Sequence, residues 1–67
     1  MNPRDIRRRL SMPDGSTPTQ KDMAKAIGVH EQTVSKWERG ELPLEGTAWA
    51  LYRILDKNRD AFKALTE

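Results

Sequence analysis

The chain has 67 residues, of which 36% are hydrophobic and 33% are charged, with no cysteine and a single histidine. A chain of this length forms at most one domain with a small core, and its composition is typical of a globular protein rather than a disordered or membrane-spanning one. These residue counts exclude a disulfide framework and a conventional zinc site, and we expect no metal or cofactor.

The charges are distributed unevenly along the chain. Residues 1–40 carry eight basic and five acidic side chains, a net charge of +3, whereas residues 41–67 carry four and five, a net charge of −1. A basic N-terminal part is compatible with a polyanionic partner, although scattered solvated charges also explain so small an excess. No apolar run approaches the ~20 residues that span a bilayer, and the N-terminus lacks the apolar core of a signal peptide, so a cytoplasmic location is expected.

No arrangement of side chains indicates catalysis. Ser35 and His30 are five residues apart near one short predicted helix, and no third group is placed to orient the imidazole toward the hydroxyl. The sequence therefore predicts a protein that is not an enzyme.

The first predicted helix covers about residues 3–10 or 3–11. Asn2 is a possible N-cap, Pro3 suits the first helical position, and Asp5 suits the positive end of the helix dipole. Ile6 and Leu10 give this helix one apolar edge. The following stretch "SMPDGSTP" has the proline, glycine and capping residues of a loop.

Two short helices follow, separated by the turn "GVH". The second helix begins after Thr19, an N-cap with Asp22 three residues later, and ends at Gly28. The third covers about residues 31–39 and stops at Gly40. Two helices joined by a three-residue turn that contains glycine are typical of a helix-turn-helix, here residues 19–39. The predicted core residues of this unit are Met23, Ala24, Ile27, Val29, Val34 and Trp37.

The remaining chain, "AWALYRILDKNRDAFKAL", is helical by its apolar period. A break near Asn58 divides it into helices at about 46–57 and 59–65, and one long helix is the alternative. Trp49, Tyr52 and Phe62 are many large rings for so small a monomer. We therefore expect a dimer interface around these three residues, within helices 4 and 5.

The segment "TQKDMAKAIGVHEQTVSKWERGELPL" resembles the Xre/Cro-type helix-turn-helix of phage repressors and bacterial antitoxins. The resemblance rests on Thr-Gln at the start of helix 2, Gly-Val in the turn, Val-Ser within helix 3 and "WERG" at its end. It implies an all-α, compact five-helix Cro/repressor-like fold, with residues 1–67 forming one DNA-binding domain of phage or mobile-element type. His30 stands where the family usually has a serine or threonine cap, which predicts a weaker start of helix 3.

The resemblance also assigns residues to DNA. Gln32 suits adenine and Lys36 suits guanine or a phosphate, whereas Glu31 either accepts from cytosine or only stabilises the helix start. The base-contacting residues are predicted to be Glu31, Gln32, Thr33, Ser35 and Lys36, and the phosphate-binding residues Gln20, Lys21 and Arg39. Glu38 of "WERG" is expected to form a structural ion pair with Arg9 or Arg8 of helix 1.

The function implied is that of a homodimeric (auto)repressor, with helix 3 in the major groove of double-stranded DNA that carries an inverted-repeat operator. An antitoxin-like protein-interaction module, whose C-terminal helices bind an unknown partner protein, is the alternative.

Overall fold

Five helices form the regular structure in a computed structural model of the chain, which describes residues 2–66 and contains no strand within that range. They are α1 (Pro3–Arg9), α2 (Gln20–Ile27), α3 (Glu31–Glu38), α4 (Gly46–Lys57) and α5 (Asp60–Thr66). The predicted all-α, five-helix fold is confirmed, and a break at Asn58 replaces the alternative of one long final helix. The outer limits of the predicted domain, Met1 and Glu67, lie outside the described residues.

The ends of the first two helices are set by local side chains. The Asn2 side chain accepts a hydrogen bond from the N–H of Arg4 at 2.8 Å. Thr19 Oγ1 accepts from the N–H of Asp22 at 3.1 Å, and the Asp22 carboxylate accepts from the N–H of Thr19 at 3.0 Å, which completes a capping box. Gly28 ends α2 in the left-handed conformation, with φ +79°. Caps of this kind contribute about 1 kcal/mol each, so the limits of these helices follow from nearby sequence.

The core is shared by all five helices. Helix α1 packs on α3 and α4, α2 packs on α3 and α5, and α4 packs on α5. Helix α3 contributes Val34 and Trp37, and the Trp37 ring meets the Tyr52 ring edge to face at a centroid distance of 5.9 Å. Ile27 and Val29, both predicted core residues, are partly buried against this cluster. The buried hydrophobic residues are Ile6, Leu10, Met23, Ala24, Val34, Trp37, Tyr52, Leu55 and Phe62.

The prediction that Tyr52 and Phe62 lie in a dimer interface is wrong. Both side chains are 0% exposed in the isolated chain, and they belong to its core. The physical reason is the scarcity of apolar volume in a short chain, where large rings are needed to fill the space between five small helices. Trp49 is only partly buried and keeps a surface that a partner could contact.

The Tyr52 hydroxyl is an unusual feature of this core, because it is buried and has no hydrogen-bond partner among residues 2–66. Burial raises the pKa of Tyr52, and the nearby Glu38 carboxylate raises it further. Tyr52→Phe is therefore expected to leave the free energy of unfolding unchanged or to increase it by up to about 1 kcal/mol, because no hydrogen bond is lost. Urea denaturation checks this result. A loss of more than about 1 kcal/mol would mean that the hydroxyl is bonded in solution.

Candidate nucleic-acid interface

The carboxylate of Glu38 joins three helices beneath the surface of the helix-turn-helix. Glu38 is 4% exposed. Arg7 from α1 approaches it with two nitrogens, Nε to Oε2 at 2.7 Å and a terminal nitrogen to Oε1 at 2.9 Å. The third guanidinium nitrogen donates to the carbonyl of Pro18 at 2.9 Å, just before α2. A single arginine thus fixes α1 to the end of α3 and to the start of the helix-turn-helix.

The predicted ion pair of Arg9 or Arg8 with Glu38 is wrong, because Arg7 holds this carboxylate. Arg9 instead lies 3.4 Å from Asp56 of α4. Ile6 and Leu10 point into the core, so Arg7 and Arg9 lie on opposite flanks of α1, one toward α3 and the other toward α4. The helical period places Arg8 on the side of α1 that faces neither α3 nor α4. This spacing could have excluded Arg8 as the partner of Glu38.

The pKa values of Glu38 and Arg7 are set by opposing effects. Burial by itself raises the pKa of Glu38, but hydrogen bonds from Arg7 and Gln20, together with the charge of Arg7, outweigh it and hold this pKa below its ordinary value. The pKa of Arg7 is raised, chiefly by its hydrogen bond to Glu38. Both groups are therefore charged in the folded protein near neutral pH.

Gln20, the predicted phosphate contact on α2, is also held by Glu38. Its Nε2 donates to Glu38 Oε1 at 3.1 Å, and the side chain is half-buried. A side-chain amide has a second N–H and a carbonyl oxygen, so this bond orients Gln20 while leaving polar atoms for another ligand. Lys21, beside it at the start of α2, is exposed.

Helix α3 separates its side chains into an inner and an outer set. Val34, Trp37 and Glu38 are buried, as the apolar stripe predicts for the first two. On the outer side, three of the residues assigned to bases are exposed and two are half-buried. The exposed ones are Glu31, Gln32 and Lys36, and the half-buried ones are Thr33 and Ser35.

His30 caps α3. Its Nδ1 accepts a hydrogen bond from the N–H of Gln32 at 3.3 Å, so the imidazole does the work of the usual hydroxyl. This cap is an N–H···N bond rather than the N–H···O bond of a serine or threonine cap, and the weaker start of the helix stays a prediction. The cap acts directly on Gln32, the residue assigned to adenine.

The other end of α3 carries Arg39, which is exposed and forms an ion pair with Glu41 at 2.7 Å. Gly40 follows with φ +76°, and the N–H of Glu41 donates to the carbonyl of Lys36 at 2.9 Å. The reversal of the chain at Gly40 keeps Arg39 at the surface. An exposed pair of this kind is weak, so Arg39 is able to exchange Glu41 for another anion.

Two negative findings apply to residues 2–66. No helix in this range is long and apolar enough to cross a membrane. The same residues contain no group of three or more histidine, cysteine, aspartate or glutamate side chains that could hold a metal ion.

A helix-turn-helix family model matches residues 19–62, from the cap of α2 to the buried phenylalanine of α5. No curated protein and no solved structure matches the chain. The matched segment contains α2, α3 and α4, the Glu38 carboxylate and every residue assigned above to DNA.

Proposed function

Because the chain belongs to the Xre/Cro-type helix-turn-helix family and is thus a DNA-binding regulator, we propose that it acts as a homodimeric transcriptional repressor. In this proposal α3 enters the major groove of double-stranded DNA, α2 crosses the backbone, and the operator is an inverted repeat in the protein's own promoter. The observation that carries the proposal is the exposed polar side of α3, held outward by a buried inner side.

The residues of α3 have the chemistry for contacts with base edges. Gln32 is exposed, and its amide is able to form a bidentate pair with adenine N6 and N7. Lys36 lies one turn later on the same side and is able to reach guanine O6 and N7 or a phosphate. Thr33, Ser35 and Glu31 complete the set, Glu31 as an acceptor for cytosine N4.

The proposed phosphate contacts lie beside this row. The N-terminus of α2 presents backbone N–H groups, and Gln20 and Lys21 stand there. The bond between Gln20 and Glu38 supports the proposal, because it limits the rotamers of Gln20 before DNA arrives. Arg39 at the far end of α3 supplies a second anchor. Such contacts set the position of α3 without specifying sequence.

A single copy of the protein discriminates too weakly between its operator and the many other sequences of a genome. Each mismatched base pair costs about 1–3 kcal/mol, and α3 reaches only a few bases. Two copies on half-sites about 34 Å apart, one helical turn of DNA, double the number of bases contacted. We propose a dimer and an inverted repeat because two half-sites supply discrimination that one half-site lacks.

The alternative function, an antitoxin-like module that binds a partner protein through its C-terminal helices, loses part of its basis. It requires an exposed aromatic surface, whereas Tyr52 and Phe62 are buried in the isolated chain. Of the three aromatic residues predicted at this surface, Trp49, Tyr52 and Phe62, only Trp49 keeps an exposed part that a partner could contact.

Footprinting on the DNA upstream of its own gene tests the proposed function. We expect protection of two symmetric half-sites about one helical turn apart at near-physiological salt. In the Gln32→Ala, Lys36→Ala variant the preference for this site over unrelated DNA should fall at least about tenfold, because a good bidentate pair contributes about 1–3 kcal/mol of discrimination.

Two further variants separate specific from general effects. Gln20→Ala should weaken binding to all sequences about equally, since phosphates carry no sequence information. Lys25→Ala, an exposed change on α2 outside the assigned contacts, is the matched control and should leave the footprint unchanged. Diffuse, salt-sensitive binding that is equal in wild type and in the α3 variant would contradict the proposal.

A further inference from the structure

One side of α4 packs against no other segment of residues 2–66. We call it the α4 outer face and define it as Gly46, Thr47, Ala50, Arg53, Ile54 and Lys57, all of which are exposed. Ile54 is 59% exposed, more than the exposed Leu42 or Leu65. The opposite side of α4 carries the buried Tyr52 and Leu55, so this face points away from the core.

The shape of the α4 outer face suits another helix. Gly46, Ala50 and Ile54 recur at intervals of four and form one row along the helix. Two small residues followed by a large one leave a recess beside a projection, and Ala50 and Ile54 line a shallow depression with Arg53 and Lys57. A copy of the same row running in the opposite direction would place its projection over this recess.

The charges of the face are arranged in the same self-complementary way. Glu45 precedes α4, is exposed, and makes no capping hydrogen bond with its side chain. Arg53 and Lys57 near the other end are also exposed, and none of the three forms an ion pair within residues 2–66. At 1.5 Å per residue the acidic end and the basic end are about 12–18 Å apart along the axis.

We propose that the α4 outer face binds the same face of a second copy of this chain, with the two α4 helices antiparallel about a two-fold axis near Ala50. In this arrangement Ile54 of each copy lies over Gly46 and Thr47 of the other, beside the small residues of the row. Glu45 of each copy falls axially between Arg53 and Lys57 of the other, so both ends of the interface pair opposite charges. Trp49, which lines a groove with Arg53, lies at the edge of the interface.

This inference rests on the proposed function, because it locates the contact between the two copies of the proposed dimer. One face of a 12-residue helix is small beside the roughly 800 Å² per partner of a stable interface. We therefore expect a weak dimer in solution, with a dissociation constant of about 10–500 μM, that forms more readily when two copies occupy adjacent half-sites.

Charge reversal offers a decisive test by sedimentation of the full chain. Glu45→Lys places like charges at both ends of the interface, and so does the Arg53→Glu, Lys57→Glu variant. Each should weaken self-association at least about tenfold, whereas a mixture of the two should form a heterodimer, because every end then pairs opposite charges. Lys63→Glu, an exposed reversal on α5, is the matched control and should associate like wild type.

Ile54→Asp tests the apolar part of the same contact. It should abolish self-association, while Leu65→Asp, the same kind of change at an exposed apolar residue of α5, should not. Circular dichroism should show both variants folded, since neither residue is buried. Wild type that remains monomeric up to about 500 μM, or a mixture of charge variants that does not associate, would overturn the inference.

The failure of this inference is distinguishable from failure of the proposed function. If Ile54→Asp remains dimeric and still protects both half-sites, the second copy binds elsewhere and the repressor proposal stands. If wild type dimerises through the α4 outer face but shows no specific footprint, this contact is supported and the operator proposal fails.

Discussion

Replacing Arg7 with methionine is expected to lower the free energy of unfolding by about 3–5 kcal/mol, because a buried carboxylate is left without its cation. Glu38 is 4% exposed, and among residues 2–66 it would retain the Gln20 amide at 3.1 Å and the more distant Arg4, whose Nε lies 4.0 Å away. The carbonyl of Pro18 would also lose its donor. Chemical denaturation at neutral pH measures the effect.

Two further variants decide whether the loss comes from the buried charge of Glu38 left unpaired or from removal of any arginine on α1. Arg8→Met, at the exposed next position, should cost within about 0.5 kcal/mol of zero. The Arg7→Met, Glu38→Leu double variant should recover much of the stability, because no unpaired charge remains buried. A double variant less stable than Arg7→Met would show that the pair itself is strongly stabilising.

The acid dependence of stability gives an independent readout of the same pair. The pKa of Glu38 is lowered on folding from an ordinary value of 4.5, so its contribution is fully present above about pH 4.5 and is lost as the pH falls through the lowered value. In Arg7→Met the burial of Glu38 is no longer outweighed, so its pKa should rise and acid should favour the folded state. The stability difference between wild type and Arg7→Met should therefore shrink between pH 7 and pH 4.

Phe62→Ala is expected to cost about 3–5 kcal/mol at any protein concentration, because it leaves a cavity between α5 and the rest of the core. A domain of this size has a total stability of roughly 3–10 kcal/mol, so the variant could be largely unfolded. Phe62→Leu is the graded version, and it should remain folded with a smaller loss. Urea denaturation at two protein concentrations checks both.

The concentration dependence separates the core role of Phe62 from the interface role. Truncation of a core residue lowers the free energy of unfolding of the monomer by the same amount at low and high protein concentration. Truncation of an interface residue would leave the stability of the dilute, monomeric protein unchanged and would weaken only the dimer. Leu65→Ala, on the same helix but 43% exposed, is the matched control and should change stability by less than about 1 kcal/mol.

The sequence predicts the helices well because the signals that end them are local. The capping box at Thr19 and Asp22, the left-handed Gly28 and the break at Asn58 depend on residues within a few positions of each other. The inner side of α3 is likewise evident from the spacing of Val34 and Trp37. Such features need no knowledge of how distant segments meet.

The errors concern contacts between segments far apart in the chain. The helical period places Arg7 and Arg9 on the two flanks of α1, but it does not say which flank faces α3. That choice depends on the path of the chain between α1 and α2. Similarly, large aromatic residues such as Tyr52 and Phe62 look the same in the sequence whether they fill a core or contact a partner. Only the arrangement of the five helices places them inside.

The division of α3 into inner and outer residues has a consequence for how such proteins diverge. The residues that stabilise the fold, Val34, Trp37 and Glu38, are buried, while the side chains of Gln32 and Lys36 are exposed and form no hydrogen bond or ion pair within residues 2–66. Duplicated copies of the gene could therefore exchange these outer side chains and acquire a new operator without passing through an unstable intermediate. Under the proposed function, target preference and folding therefore depend on separate sets of residues along this helix.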